Sequence, residues 1–163
     1  MEIKAAEVMK LRHATNAGMM DCKNALIEAE GDFDKAVDII RKKGLVVASK
    51  RADREAKEGC VLAVAEGKKG VMVSLNCETD FVAKNENFIN FTRQILDCAL
   101  ANMPADKEAL LALNIEGRSI ADQIAEQTGV IGEKLELAYY GKVEAEATVA
   151  YIHPGNKLAT VIG

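Results

Sequence analysis

Apolar residues return at helical spacing through the first part of the chain. Over residues 3–13, Ile3, Val8 and Leu11 alternate with Lys4, Glu7, Lys10 and Arg12, which predicts an amphipathic helix. The small-residue loop Ala14-Thr15-Asn16-Ala17-Gly18 ends it. A second helix is predicted over 20–29 from Cys22, Ala25, Leu26 and Ala29, with Gly31 as its stop. The third opens at Asp32, a suitable N-cap, and carries Phe33, Ala36, Val37 and Ile40 on one face. Arg41, Lys42 and Lys43 suit the negative end of that helix, and Gly44 suits its stop. Residues 1–44 thus read as a three-helix module with a marginal core of its own, the size of a docking module.

Residues 45–58 read as a helical connector. Across 41–57 seven Lys/Arg stand against two Asp/Glu, a local charge of +5. Such a run is a solvated helix face or a contact for an acidic surface; no aromatic residue is interleaved for base stacking. From Gly59 onward the pattern changes. The strand-like runs 59–66 and 70–77 flank Gly67-Lys68-Lys69-Gly70, which predicts a hairpin. Both runs are apolar on two sides, so both faces need cover. A helix is predicted over 85–102, a helical turn over 106–113 and another helix over 118–128 stopped by Gly129. Strands are predicted over 133–143 and 146–152, with a last apolar run over 158–162. The order predicts an α+β fold: a three-helix module (1–44), the connector (45–58), then an antiparallel sheet with helices packed on it (59–163).

The 163 residues are 49% hydrophobic and 28% charged, which excludes a disordered chain, a collagen and a coiled-coil rod. With 4% aromatics and no Trp, the core must come from Val, Ile, Leu, Ala and Met. The net charge of -4 argues against a broad nucleic-acid footprint. No apolar run reaches a membrane span and the first 30 residues hold no signal-peptide core, so a cytoplasmic protein with no membrane partner is expected. Cys22, Cys60, Cys77 and Cys98 have no zinc-site spacing and are expected as reduced, mostly buried thiols. There is no phosphate-loop motif, and neither His13 nor His153 lies in a Cys/His or Ser/His context. No catalytic residue, metal ligand or cofactor is expected.

Two stretches stand out for recognition. Asn76-Cys77-Glu78-Thr79-Asp80-Phe81-Val82-Ala83-Lys84-Asn85 links a strand to a long helix. There Thr79 and Asp80 cap a helical turn with Phe81 in the core, or the corner presents Asp80 and Phe81 outward as an interface anchor. Met19 and Met20, after Ala17-Gly18, are core residues or an adaptable apolar patch.

These residues resemble a known family. Leu11-Arg12 followed by Thr15-Asn16-Ala17-Gly18-Met19-Met20-Asp21-Cys22-Lys23-Asn24-Ala25-Leu26, and then Asn76-Cys77-Glu78-Thr79-Asp80-Phe81-Val82-Ala83-Lys84, look like the two signatures of bacterial elongation factor Ts, in the expected order and spacing. The resemblance implies a guanine-nucleotide exchange factor of the GTPase elongation factor Tu, without covalent chemistry of its own. It implies a ubiquitin-associated-like amino-terminal module and an α+β core. It further implies that Arg12, Met19 and Met20 dock on a helix of the GTPase, and that Thr79, Asp80, Phe81 and Val82 form a wedge near its magnesium site. His153 is implied, less securely, as another partner contact. Two departures accompany it. Asn16 stands where the family commonly has glycine, which calls for a left-handed Asn. Family members also commonly continue beyond this length, which implies either a fragment or a short form, and for a short form a homodimer. A competing reading, a peptide- or ubiquitin-like-protein-binding adaptor, accounts for residues 1–44 but leaves the second signature unexplained. A thiol enzyme using Cys22 or Cys77 is more distant still.

Overall fold

The computed structural model describes residues 2–163 and has an α+β architecture, amino-terminal helices followed by antiparallel sheet. The described chain divides into two compact units: residues 2–53 with 125–133, and residues 54–124 with 134–163.

The first unit holds helices α1 (Ala5–Thr15), α2 (Met19–Glu28) and α3 (Phe33–Lys50). Its core gathers Val8, Leu11, Cys22, Ala25, Leu26, Ala36 and Ile40, all buried at the predicted spacing. The caps show why the helices start and stop where they do. Asn16 ends α1 in the left-handed conformation (φ 58°, ψ 11°), its N–H donating to the Arg12 carbonyl at 2.7 Å. Asparagine tolerates that region better than most residues, so it substitutes for the glycine a helix end usually wants. Gly31 (φ 82°) donates to the Leu26 carbonyl and closes α2. The Asp32 carboxylate accepts from the Lys35 N–H at 3.1 Å and starts α3.

Two predicted helix stops are corrected. α3 continues through Gly44 to Lys50, and α7 (Ile120–Ile131) continues through Gly129. Gly44 is buried, and a Cβ there would lie 3.0 Å from the Glu126 backbone; a Cβ on Gly129 would lie 2.1 Å from the Gly44 Cα. These glycines permit a close crossing of two helix backbones instead of terminating helices. The left-handed stop of α7 is Gly132 (φ 80°), whose N–H donates to the Thr128 carbonyl. The same crossing explains why residues 125–133, expected with the sheet, group with the first unit. It also shortens the expected connector: residues 45–50 are the end of α3, and 51–57 are non-helical.

In the second unit, β1 (Glu58–Glu66) and β2 (Lys69–Cys77) form the predicted hairpin, and β5 (Glu136–Glu144) pairs with the other side of β2. All pairings are antiparallel. Between β2 and β5 run α4 (Asp80–Ala83), α5 (Glu86–Asn102), α6 (Lys107–Leu111), the short pair β3 (Asn114–Ile115) and β4 (Arg118–Ser119), and the start of α7. β6 (Val149–Ile152) and β7 (Ala159–Ile162) make a separate hairpin. Period-two alternation explains the layering. Cys60, Leu62, Val71, Val73 and Leu75 are buried beside Phe88, Ile95, Leu96 and Ala99 of α5. The opposite face, with Gly70, lies against β7, where a Cβ on Gly70 would reach the Val161 side chain. Both faces of the two-sided apolar hairpin are thereby covered.

Candidate functional site

The corner after β2 begins with Cys77, whose thiol donates to the Thr79 carbonyl at 3.2 Å. Thr79 is in extended conformation and caps α4, its Oγ1 accepting from the Val82 N–H at 3.4 Å. After this single turn, the Asn85 side chain accepts from the Asn87 and Phe88 N–H groups and starts α5. Polar capping residues on both sides therefore force a break between two helices within six residues. Of the four residues of α4, only Ala83 is buried. Phe81 is 90% exposed, the most exposed of the large hydrophobic side chains of the described residues. Of the two placements left open by the sequence, the outward one is observed. Val82 is half-buried.

Asp80 opens α4, and its carboxylate is held by two ammonium groups: Lys84 at 2.7 Å and Lys157 at 3.2 Å. The hydrogen bond from Lys84 first, and then that from Lys157, keep its carboxyl below the ordinary 3.8. Lys157 also contacts Glu58 at 2.6 Å, and that carboxylate above all raises the lysine above its ordinary 10.5. Glu78, one residue before Thr79, accepts from the Arg54 guanidinium at 3.1 Å and from the Lys134 N–H at 2.8 Å. Arg54 gives one charge of the basic run a definite place. These long-range partners were not visible in the sequence, because 24 and 56 residues separate them from Glu78.

Arg12, Met19 and Met20 lie in the first unit, on either side of the left-handed Asn16 turn. Arg12 is in the last turn of α1, and the two methionines open α2. Met19 is 39% and Met20 64% exposed, so this pair does not supply core. His153 is exposed in the turn between β6 and β7, with Nδ1 2.9 Å from the Tyr151 hydroxyl. That turn brings Lys157 to Asp80, so His153 and the corner occupy the same unit.

A family profile described as Elongation factor TS matches residues 78–163, just over half of the chain, beginning within the corner. The chain belongs to the elongation factor Ts family. Relatives of that name agree in sequence throughout its length. One from Porphyromonas gingivalis is 54% identical over 162 residues, covering 99% of this chain and 59% of the relative. One from Azobacteroides pseudotrichonymphae is 53% identical over 163 residues, covering 100% and 60%. One from Christiangramia forsetii is 53% identical over 164 residues, covering 99% and 59%. The chain thus spans about three fifths of the length of these relatives. Among the described residues, no helix is long and apolar enough to cross a membrane, and no group of three or more His, Cys, Asp or Glu could hold a metal ion.

Proposed function

We propose that this chain is a guanine-nucleotide exchange factor that binds elongation factor Tu in its GDP form and promotes GDP release. The observation that carries the reading is the outward Phe81 on a corner capped by Thr79 and tethered through Asp80. An exposed aromatic ring costs solubility and gives nothing to the core, whereas at the centre of an interface it can carry several kcal/mol of binding, on the order of 2–4. Arg12, Met19 and Met20 supply docking to a helix of the GTPase, residues 1–44 forming the docking module. Thr79, Asp80, Phe81 and Val82 form the wedge, and His153 is a further contact.

The mechanism is one of linkage. A GTPase holds its nucleotide through phosphate-loop amides and magnesium. A factor that binds the nucleotide-free form better than the loaded form must lower nucleotide affinity by the same ratio. Phe81 inserted beside the magnesium site would displace a switch element and loosen the ion, and GDP would leave with weakened phosphate contacts. GTP rebinding then ejects the factor. The chain performs no covalent step in this scheme, and it works in the cytoplasm, where its partner works.

The test is release of fluorescent GDP from elongation factor Tu mixed with this chain. Release that accelerates with factor concentration and saturates is expected. Unaccelerated release, with no complex formed, would overturn the reading.

A further inference from the structure

We infer that Lys157 is a positioning residue for the exchange wedge, acting through Asp80; this rests on the function proposed above. α4 has four residues, too few to hold an orientation by its own hydrogen bonds. It projects Phe81 into solvent while only Ala83 anchors it in the core. Something outside the segment must fix its direction. The contact that reaches Asp80 from far along the chain is Lys157, 3.2 Å from Oδ1, while Lys84, the other cation, belongs to the same corner.

The origin of that lysine is itself well fixed. Lys157 follows Asn156 (φ 58°) and Gly155 (φ 95°), two left-handed residues that set the β6–β7 turn. The Asn156 carbonyl accepts from the Val61 N–H of β1 at 2.9 Å, which pins the turn to the sheet. Glu58, at the start of the same strand, also holds the ammonium, at 2.6 Å. The ammonium group is therefore a bridge: β1 fixes the turn and Glu58, and Lys157 passes that placement to the first residue of α4. Without it, Glu58 and Asp80 are left as two carboxylates without the shared counter-charge. The corner keeps its Thr79 cap and the hold of Arg54 and Lys134 on Glu78, but the first residue of α4 loses its tether to the sheet, and the ring of Phe81, one residue on, gains freedom with it.

The experiment is a set of variants of this chain assayed by GDP release and by NMR. Lys157→Ala should lower the maximal release rate about two- to fivefold, the range open to an exposed ion pair. The concentration for half-maximal release should stay unchanged, since Arg12, Met19 and Met20 are untouched. Lys157→Arg should restore the rate. In an Asp80→Asn background, Lys157→Ala should do nothing further, the non-additivity expected of one pathway. Titration of the Asp80 carboxyl followed by carbon NMR should move toward its ordinary value in Lys157→Ala. Equal losses from Lys157→Ala with and without Asp80→Asn would overturn the inference, as would an unmoved Asp80 titration. If Phe81→Ala slows release and Lys157→Ala does not, the inference fails and the wedge stands. If Phe81→Ala is silent, the wedge fails, and the Asp80 titration still decides whether Lys157 holds the corner.

Discussion

Gly129 and Gly44 meet backbone to backbone: a methyl group on Gly129 would lie 2.1 Å from the Gly44 Cα. No side-chain rotation relieves such a contact, so one helix must shift. Overpacking costs about 1–3 kcal/mol, whereas alanine in a helix gains about 1 kcal/mol over glycine. For Gly129→Ala the clash should win and the thermal midpoint should fall by several degrees. For Gly44→Ala the nearest atoms are at 3.0 Å, so clash and helix gain should nearly cancel. Thermal melts of the two variants check this ordering, and a stabilised Gly129→Ala would contradict it.

The glycines also show what the sequence could carry. Helix spacing, the Asp32 cap, the Gly67–Lys68 turn and the alternation in β1 and β2 are local signals, and they placed most elements within a few residues. A glycine used for a turn and a glycine used for a helix crossing look identical in one sequence, so the pattern alone predicts stops at Gly44 and Gly129, where the structure has a crossing. The short β3–β4 pair escaped because two residues per strand show no period. At the corner, residue types and capping were legible from Asn76 to Asn85. The outward placement of Phe81 was not, since it depends on which side of α4 meets the sheet. Lys157 and Arg54 were hidden for a plainer reason: ion pairs between distant segments leave no spacing to read.

Thiol chemistry should follow burial. Cys22, Cys60 and Cys77 are buried and Cys98 half-buried, all as free thiols. Burial pushes the Cys22, Cys60 and Cys98 thiols up from 9.0, which lowers the reactive thiolate fraction. A short iodoacetamide pulse on the native protein should label Cys98 first, as read by peptide mass spectrometry. Early labelling of Cys22 or Cys60 would contradict the packing.

The ion pairs at the corner set a pH window with a definite sign. Asp80 is lowered, so its stabilisation is complete above 3.8 and is lost as pH falls through the lowered value. Lys157 is raised, so its contribution is complete below 10.5 and is lost as pH rises through the raised value. The difference in thermal midpoint between the parent and Lys157→Ala should therefore be flat from about pH 5 to 9 and shrink in stronger acid. A difference that changes across neutral pH would point to another titrating group.

Docking should separate from wedging. Met20→Ala alters an exposed side chain, so stability should change by less than about 0.5 kcal/mol. Binding to elongation factor Tu, measured by calorimetry, should weaken about tenfold as for an interface anchor. The release rate at saturating factor should be preserved. Undiminished affinity would remove the methionines from the docking surface.

In the proposed exchange reaction, the exposed ring at the corner drives nucleotide release. The most direct measurement is stopped-flow release of fluorescent GDP from elongation factor Tu at saturating Phe81→Ala. The ring is 90% exposed, so the variant should fold and melt like the parent. The maximal release rate should be at least about tenfold lower, with the complex still forming through α1 and α2. A Phe81→Ala protein that releases GDP as fast as the parent would contradict it.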